Sequence, residues 1–399
     1  MDPDPTTADL LIDQIERLLS GLTLAGDERQ IIAILRDAST DDFNEIIMRV
    51  ELERVFAKVD DHLIGTDNFT ALMRLLIARV PEMTLPVKAR VVNVLQLGRT
   101  RRVEEELVQA IFLDTHGSEL SDLKNAIDRS GTHHDMEKLV FGDIDDHERR
   151  LSILAHIAQE AATIHPRTTK ILSDIDDTVF ARLRDHRFPG RTVYPGVLAF
   201  IDELDRGPGM VPDETGDLTF VTARPTAFGG FIEGQTRQSL IRAGLPPAAI
   251  LTGSLFSLIS NKRMAGRKME MFTRYRELFP EYTFIFIGDN GQGDADFGKR
   301  MLAEAPEQVA AIFIHDVTNA ERQRTSTTWE EDGLVYFDTY IGAAIEAWRK
   351  GLITREGVNR VAEEAETALA TIPFHDEEDR AKVVSDHALD LQRASMLPA

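Results

Sequence analysis

From Lys170 to Phe337 the chain alternates short apolar runs with stretches of helical periodicity, a pattern that few folds can absorb. The runs Lys170–Ser173, Leu218–Thr222, Ala249–Thr252, Thr283–Ile287, Ala310–Ile314 and Leu334–Phe337 read as strands. Helical stretches fall between them at Gly196–Asp205, Gly234–Ala243, Met264–Leu278 and Asp296–Ala303. Strand–helix alternation predicts a Rossmann-like parallel sheet with helices on both faces, which collects ligands at the carboxyl ends of its strands. Two acidic clusters sit at such ends. The first closes Ile171-Leu172-Ser173-Asp174-Ile175-Asp176-Asp177-Thr178, and the second is Gly288-Asp289-Asn290-Gly291-Gln292-Gly293-Asp294. Carboxylates two apart at a strand exit can divide labour, one attacking an electrophile and the other handling a proton, if a cation restrains their repulsion.

The first ~165 residues read as wholly helical, with periodic segments at Leu10–Leu19, Ile31–Leu35, Phe43–Val50 and Leu72–Ile77. Gly26-Asp27-Glu28 reads as an acidic helix start, and Ser39-Thr40-Asp41 as a cap. An internal repeat runs through this region. Ile31–Asp37 is echoed by Val108–Asp114, and the eight residues from Val55 by the eight from Val140. The spacing resembles that of annexin repeats, but no glycine-rich calcium loop can be placed, so packing or contact with a protein partner is the expected role. The second copy contains Asp143-Ile144-Asp145-Asp146, the same four letters as residues 174–177. Charged residues follow it instead of threonine and an apolar run, so it reads as a solvated helix boundary. Three domains are expected: a helical repeat domain (1–165), the sheet domain (166–340) and a helical C-terminal extension (341–399).

Composition removes several classes of function. A formal net charge of −22 argues against nucleic-acid binding and against passive adhesion to anionic membranes. No apolar stretch approaches the roughly 20 residues that span a bilayer, and the acidic start is unlike a secretory signal. The absence of cysteine restricts any site to oxygen and nitrogen chemistry and suits a cytoplasmic location.

Residues ~170–320 resemble the haloacid dehalogenase superfamily of aspartate-nucleophile phosphohydrolases. Within it they resemble the actin-patch-associated phosphatidate phosphatase family, through Asp174-Ile175-Asp176-Asp177-Thr178 and the Gly288–Asp294 run. The resemblance implies a haloacid dehalogenase-like fold and Mg²⁺-dependent hydrolysis of a phosphomonoester. It makes Asp174 the nucleophile that forms an aspartyl phosphate and Asp176 the group that protonates the leaving oxygen and later activates water. Thr222, at the end of the second strand, would hold a phosphoryl oxygen with Arg224 assisting. A lysine on the helix before the last motif is expected: Lys268 fits, with Lys262 second. The implied metal set is Asp174, Asp176, Asp289 and Asp294, with Asp289 on the ion and Asp294 supporting its surroundings.

Where relatives carry a polar run such as Ser-Asn-Ser-Pro, this chain reads Thr222-Ala223-Arg224-Pro225, and Asn290 replaces a frequent serine. The roughly 45 residues from Arg224 to Lys268 leave no room for a large cap. The flap Phe180–Tyr194 therefore carries specificity. Its Arg182, Arg184, His186, Arg187 and Arg191 either meet a phosphate-bearing surface or pair with nearby acids. The expected substrate is phosphatidate or another phosphate on a lipid. A soluble or protein-bound phosphate is the alternative, and a helical scaffold with an idle phosphatase-like domain is a third reading.

Overall fold

The structure is a computed structural model. It describes residues 5–21, 24–59, 67–97, 100–128, 135–164, 169–208, 218–225, 249–253, 261–291, 293–318 and 326–398, with backbone alone at 218–225, 249–253 and 261–265. Elements are numbered over those residues. The chain divides into two compact units, one of residues 1–164 with 277–279 and one of 165–276 with 280–399.

The first unit is helical: α1 (Thr7–Leu19), α2 (Ala25–Asp37), α3 (Thr40–Arg49), α4 (Leu52–Val59), α5 (Asn68–Arg79), α6 (Leu85–Leu95), α7 (Arg102–Leu113), α8 (Gly117–Asp128) and α9 (His147–Ala161). Ser39 caps α3 by accepting the Asp42 N–H, as its position before an acidic first turn predicts. The repeat has a physical meaning in the core. Ile31 and Leu35 of α2, and Val108 and Phe112 of α7, are all buried at matching positions. Its second echo diverges in conformation. Val55–Val59 lies in α4, whereas Lys138–Asp143 forms a π-helical turn. Gly142-Asp143 there replaces Ala57-Lys58, exchanging strong helix formers for weak ones. Residues 60–62 of the first copy lie outside the described residues.

The second unit is built on β1 (Thr169–Ser173), β2 (Leu218–Pro225), β3 (Ala249–Gly253), β4 (Thr283–Asp289), β5 (Val309–His315), β6 (Thr328–Glu331) and β7 (Leu334–Phe337). These form one seven-stranded sheet in the order β3-β2-β1-β4-β5-β7-β6, parallel throughout except for the β6–β7 pair. All six expected strands are present, and β6 is additional. Its Thr-Trp-Glu-Glu carries only a half-apolar signal, and pairing with β7 is what makes it a strand.

Helices cover both faces: α10 (Val197–Arg206), α11 (Asn261–Leu278), α12 (Asp294–Glu304), α13 (Tyr340–Arg349), α14 (Arg355–Leu369) and α15 (Glu377–Ser395). On one face Ile285, Ile287 and Phe313 join a buried cluster with Phe200 of α10, Ile345 of α13 and Val361 of α14. On the other, Phe272 of α11 meets Phe284 edge-on and Phe297 of α12 meets Phe286 edge-on. Residues 341–399, set apart in the sequence as an extension, thus supply core to the sheet itself. The expected helix Gly234–Ala243 lies outside the described residues. Among the described residues no helix is long and apolar enough to cross a membrane.

Candidate active site

The strand order reverses at β1, which has β2 on one side and β4 on the other. Side chains leaving the carboxyl ends of β1 and β4 therefore converge on the crevice that forms at such a switch point. Asp174 is the first residue beyond β1, and its N–H still donates to Ile287 O of β4 at 2.9 Å. Asp289 ends β4, and Asp294 opens α12 after Gly293, whose φ of +91° suits glycine. At the helix N-terminus the Asp294 carboxylate faces the positive end of the helix dipole. Gly288 is required for space, since a Cβ there would lie 2.6 Å from Asp294 Oδ2.

Carboxylate oxygens of Asp174, Asp289 and Asp294 all lie within 4.8 Å of one another, and all three residues are buried. Lys268 of α11 enters the same space, its Nζ donating to Asp174 Oδ1 at 2.9 Å and to Asp294 Oδ1 at 2.6 Å. Its helix is fixed by Met269 and Phe272, both buried, with Phe272 against β4. Among the described side chains, Lys268 is a lysine at the cluster. The side chain of Lys262 lies outside the described residues.

One ammonium cannot balance three buried carboxylates. Burial pushes the Asp174 carboxyl up to about 7, with Lys268 pulling it down and Asp294 and Asp176 adding repulsion. Burial, then the charges of Asp294 and Asp174, raise Asp289 well above the usual carboxylate range. Burial also opposes the charge on Lys268, but the two carboxylates outweigh it and its pKa is raised. Asp289 Oδ1 accepts the Gly291 N–H at 2.6 Å, whereas its buried Oδ2 has no hydrogen-bond partner among the described residues. Surplus negative charge, an all-oxygen donor set and an orphaned buried oxygen together fit a hard divalent cation.

Asp176 lies outside this trio. Its Oδ1 accepts from Arg182 Nη1 at 3.1 Å. Thr222 is reached through the backbone alone. It follows Phe220, the register partner of Ser173, by two residues, which brings it to the same end of the sheet as Asp174. The side chains of Thr222 and Arg224 lie outside the described residues.

Several supporting residues escape the motif. Asp177, at φ +59° and fully buried, accepts the N–H groups of Arg182, Leu183 and Arg184 at 2.7, 2.9 and 2.9 Å, closing the flap onto β1. Arg187 grips Asp185 through Nε and Nη2 at 2.9 and 2.8 Å and also donates to Asp316 O. Tyr340 of α13 donates to Thr178 O at 2.6 Å, tying the C-terminal helices to the strand exit. Asn290 donates to Asp316 Oδ1 at 2.7 Å and accepts the Val317 N–H at 3.0 Å, stitching together the loops after β4 and β5. His315 is kept neutral, since burial lowers its pKa to about 4. Of the flap cations, Arg182 and Arg187 pair with acids, while Arg184, His186 and Arg191 are exposed. Asp177 was visible only as a third aspartate, and nothing in the sequence marks Tyr340.

The buried lysine–carboxylate cluster thus lies at the switch point of a parallel sheet, where such folds bind their ligands. Residues 169–316 match the family model described as the catalytic domain of phosphatidate phosphatase APP1. The match bears out the family resemblance and, with it, the phosphatase class of enzyme. It covers well under half of the chain, and both helical flanks fall outside it. No curated protein and no solved structure matches significantly.

Proposed function

We propose that the sheet unit hydrolyses a phosphomonoester through an aspartyl phosphate on Asp174, in a haloacid dehalogenase-type site, with phosphatidate as the leading substrate. The observation that carries this reading is the meeting of Asp174, Lys268, Asp289 and Asp294 at the carboxyl ends of β1 and β4.

An Asp174 oxygen bonds to phosphorus while the bond from phosphorus to the leaving oxygen breaks. Asp176, as its carboxylic acid, gives its proton to that oxygen, and the alcohol leaves. Asp176 then takes a proton from water, the water oxygen bonds to phosphorus, and the Asp174–phosphorus bond breaks to release phosphate. Arg182 holds the Asp176 side chain in place. Lys268 holds Asp174 and lends positive charge to the phosphoryl oxygens. Asp174, Asp289 and Asp294 would hold Mg²⁺, which supplies charge neutralisation to phosphoryl oxygens when bound. Thr222 and Arg224 are assigned to the phosphate by position on the strand.

The exposed Arg184, His186 and Arg191 on the flap favour an anionic, surface-borne substrate over a small soluble one. A cytoplasmic location is the matching expectation, with the helical unit serving contact with a protein partner. The test is magnesium-dependent release of phosphate from phosphatidate in detergent micelles and from a panel of soluble phosphates. The wild type should label with phosphate in a hydroxylamine-sensitive form and Asp174→Asn should not. Equal turnover by the two proteins would remove Asp174 from the mechanism. Preference for a soluble phosphate would keep the chemistry and replace the substrate.

A further inference from the structure

Far from these motifs in sequence, the helical unit gathers a different set of donors. His156 and Glu160 lie one turn apart on α9, so both project from the same side of the helix. His116 is the residue before α8. Donor atoms of the three residues all lie within 4.8 Å of one another. His116 Nδ1 is 3.1 Å from Glu160 Oε1, a hydrogen-bond contact whose length is also close to the ~3.3 Å that separates neighbouring ligands about a tetrahedral ion with bonds near 2.0–2.1 Å.

The surroundings fix the orientation of these donors. His156 Nε2 lies 2.9 Å from Thr115 O, a carbonyl that can only accept. Nε2 therefore donates, which in the neutral imidazole leaves Nδ1 its lone pair. A histidine whose second nitrogen is bonded to a backbone carbonyl is how proteins orient a ligating imidazole. Glu160 is tied in the same way, with Oε2 accepting the Gly117 N–H at 2.8 Å and Oε1 turned toward the histidines.

The repeat supplies a comparison within the chain. In the first copy Glu82, just past α5, accepts from Thr40 Oγ1 at the start of α3 and pairs with the buried guanidinium of Arg79. In the second copy Glu160, at the end of α9, accepts from Gly117 at the start of α8, and two imidazoles stand where the first copy has arginine. A carboxylate links two helices in both copies. Among the described residues, only the first copy pairs it with a permanent cation.

We propose that His116, His156 and Glu160 form a metal site for a divalent transition ion of the zinc class, with solvent completing its coordination. Two imidazoles and one carboxylate suit zinc, cobalt or nickel better than magnesium, which prefers oxygen alone. The bound ion takes the place of arginine in the other copy and clamps the start of α8 to the end of α9. The site is independent of the phosphatase reading.

The test uses the full-length, metal-stripped protein in excess magnesium, present as a competitor for any oxygen-only site. Zinc is titrated against a chromophoric chelator, and cobalt is added separately to read its visible d–d absorption. Wild type should bind one equivalent of zinc, show a nitrogen-ligated cobalt spectrum and gain thermal stability as zinc rises. His116→Ala should bind zinc at least ~10-fold more weakly, the lower end of what disturbing a ligand set costs. Because the His116 side chain is 64% exposed, this variant will fold. Glu160→Gln should weaken binding as well, and Asp289→Asn should leave it unchanged. Zinc bound equally by His116→Ala, or not at all by wild type, would reduce the trio to a surface ion pair and overturn the proposal.

Discussion

Asp-Ile-Asp-Asp occurs twice in this chain, at 143–146 in the helical unit and at 174–177 in the sheet unit, and the two copies do different work. The last aspartate acts alike in both, collecting backbone N–H groups. Asp146 accepts those of Glu148 and Arg149 and caps α9, while Asp177 accepts those of Arg182, Leu183 and Arg184 and shuts the flap. The isoleucine is buried in both. The first and third residues are where they part. Asp174 faces Lys268, Asp289 and Asp294, and Asp176 faces Arg182, whereas Asp143 is only partly buried and Asp145 is exposed. A central strand end delivers its side chains into a crevice shared with its neighbours. The helix boundary leaves Asp143 half-buried and Asp145 in solvent.

The largest expected contrast is catalytic. Asp174→Asn should lower magnesium-dependent hydrolysis of an aryl phosphate by ~10³-fold or more, as loss of a nucleophile does, while Asp143→Asn stays within about twofold. Similar losses in both would erase the distinction between strand end and helix boundary. Next comes Asp177→Ala, which strands three N–H groups of a closed loop. A cost of about 3 kcal/mol or more in urea unfolding is expected, with a fall in kcat because Arg182 loses its hold on Asp176. Retained stability would mean that the flap is closed by other contacts.

A pH comparison sharpens the electrostatic side. In metal-free protein Asp174 titrates near 7 when folded and near 3.9 when unfolded, so between those values the folded state binds the extra proton. Wild type therefore loses stability from this group as pH rises from about 4 to about 7. His315, lowered to about 4, acts in the opposite sense, gaining stability as pH rises from about 4 to about 6.5. Only the difference between Asp174→Asn and wild type isolates the carboxylate. The melting temperature of the variant should climb above that of wild type across this window, and added magnesium should close the gap. A difference that is flat with pH would show that the cluster tolerates its charge without a metal. The smallest effect is at Asp146→Ala, about 1 kcal/mol for a lost helix cap, with hydrolysis unchanged. A loss of activity there would tie the two copies together after all.

Much of this was legible because the signals are local. Alternating apolar runs place all six expected strands, and Asp174 and Asp289 sit at strand ends because each closes an apolar run of a buried strand, while Asp294 opens the helix that follows β4. Lys268 was legible by spacing, and the buried Met269 and Phe272 beside it fix the face on which it lies. Asp177 and Tyr340 were not legible as anchors, since one works through backbone N–H groups of a loop and the other through a carbonyl 162 residues away. Of the flap arginines, the sequence left pairing and exposure open for each, and only packing separates the buried Arg187 from the exposed Arg184.

By itself the sequence determined the order of strands and helices, the two acidic clusters and the chemistry available to a chain without cysteine. It could do so because strand period, helix period and side-chain chemistry are properties of neighbouring residues. Tertiary structure decided which aspartates meet. β1 lies beside β4 only after more than a hundred intervening residues have crossed over, and the cost of burying three carboxylates around one lysine exists only once they are there. The same holds for His116, His156 and Glu160, unremarkable along the chain and adjacent only where α8 and α9 pack.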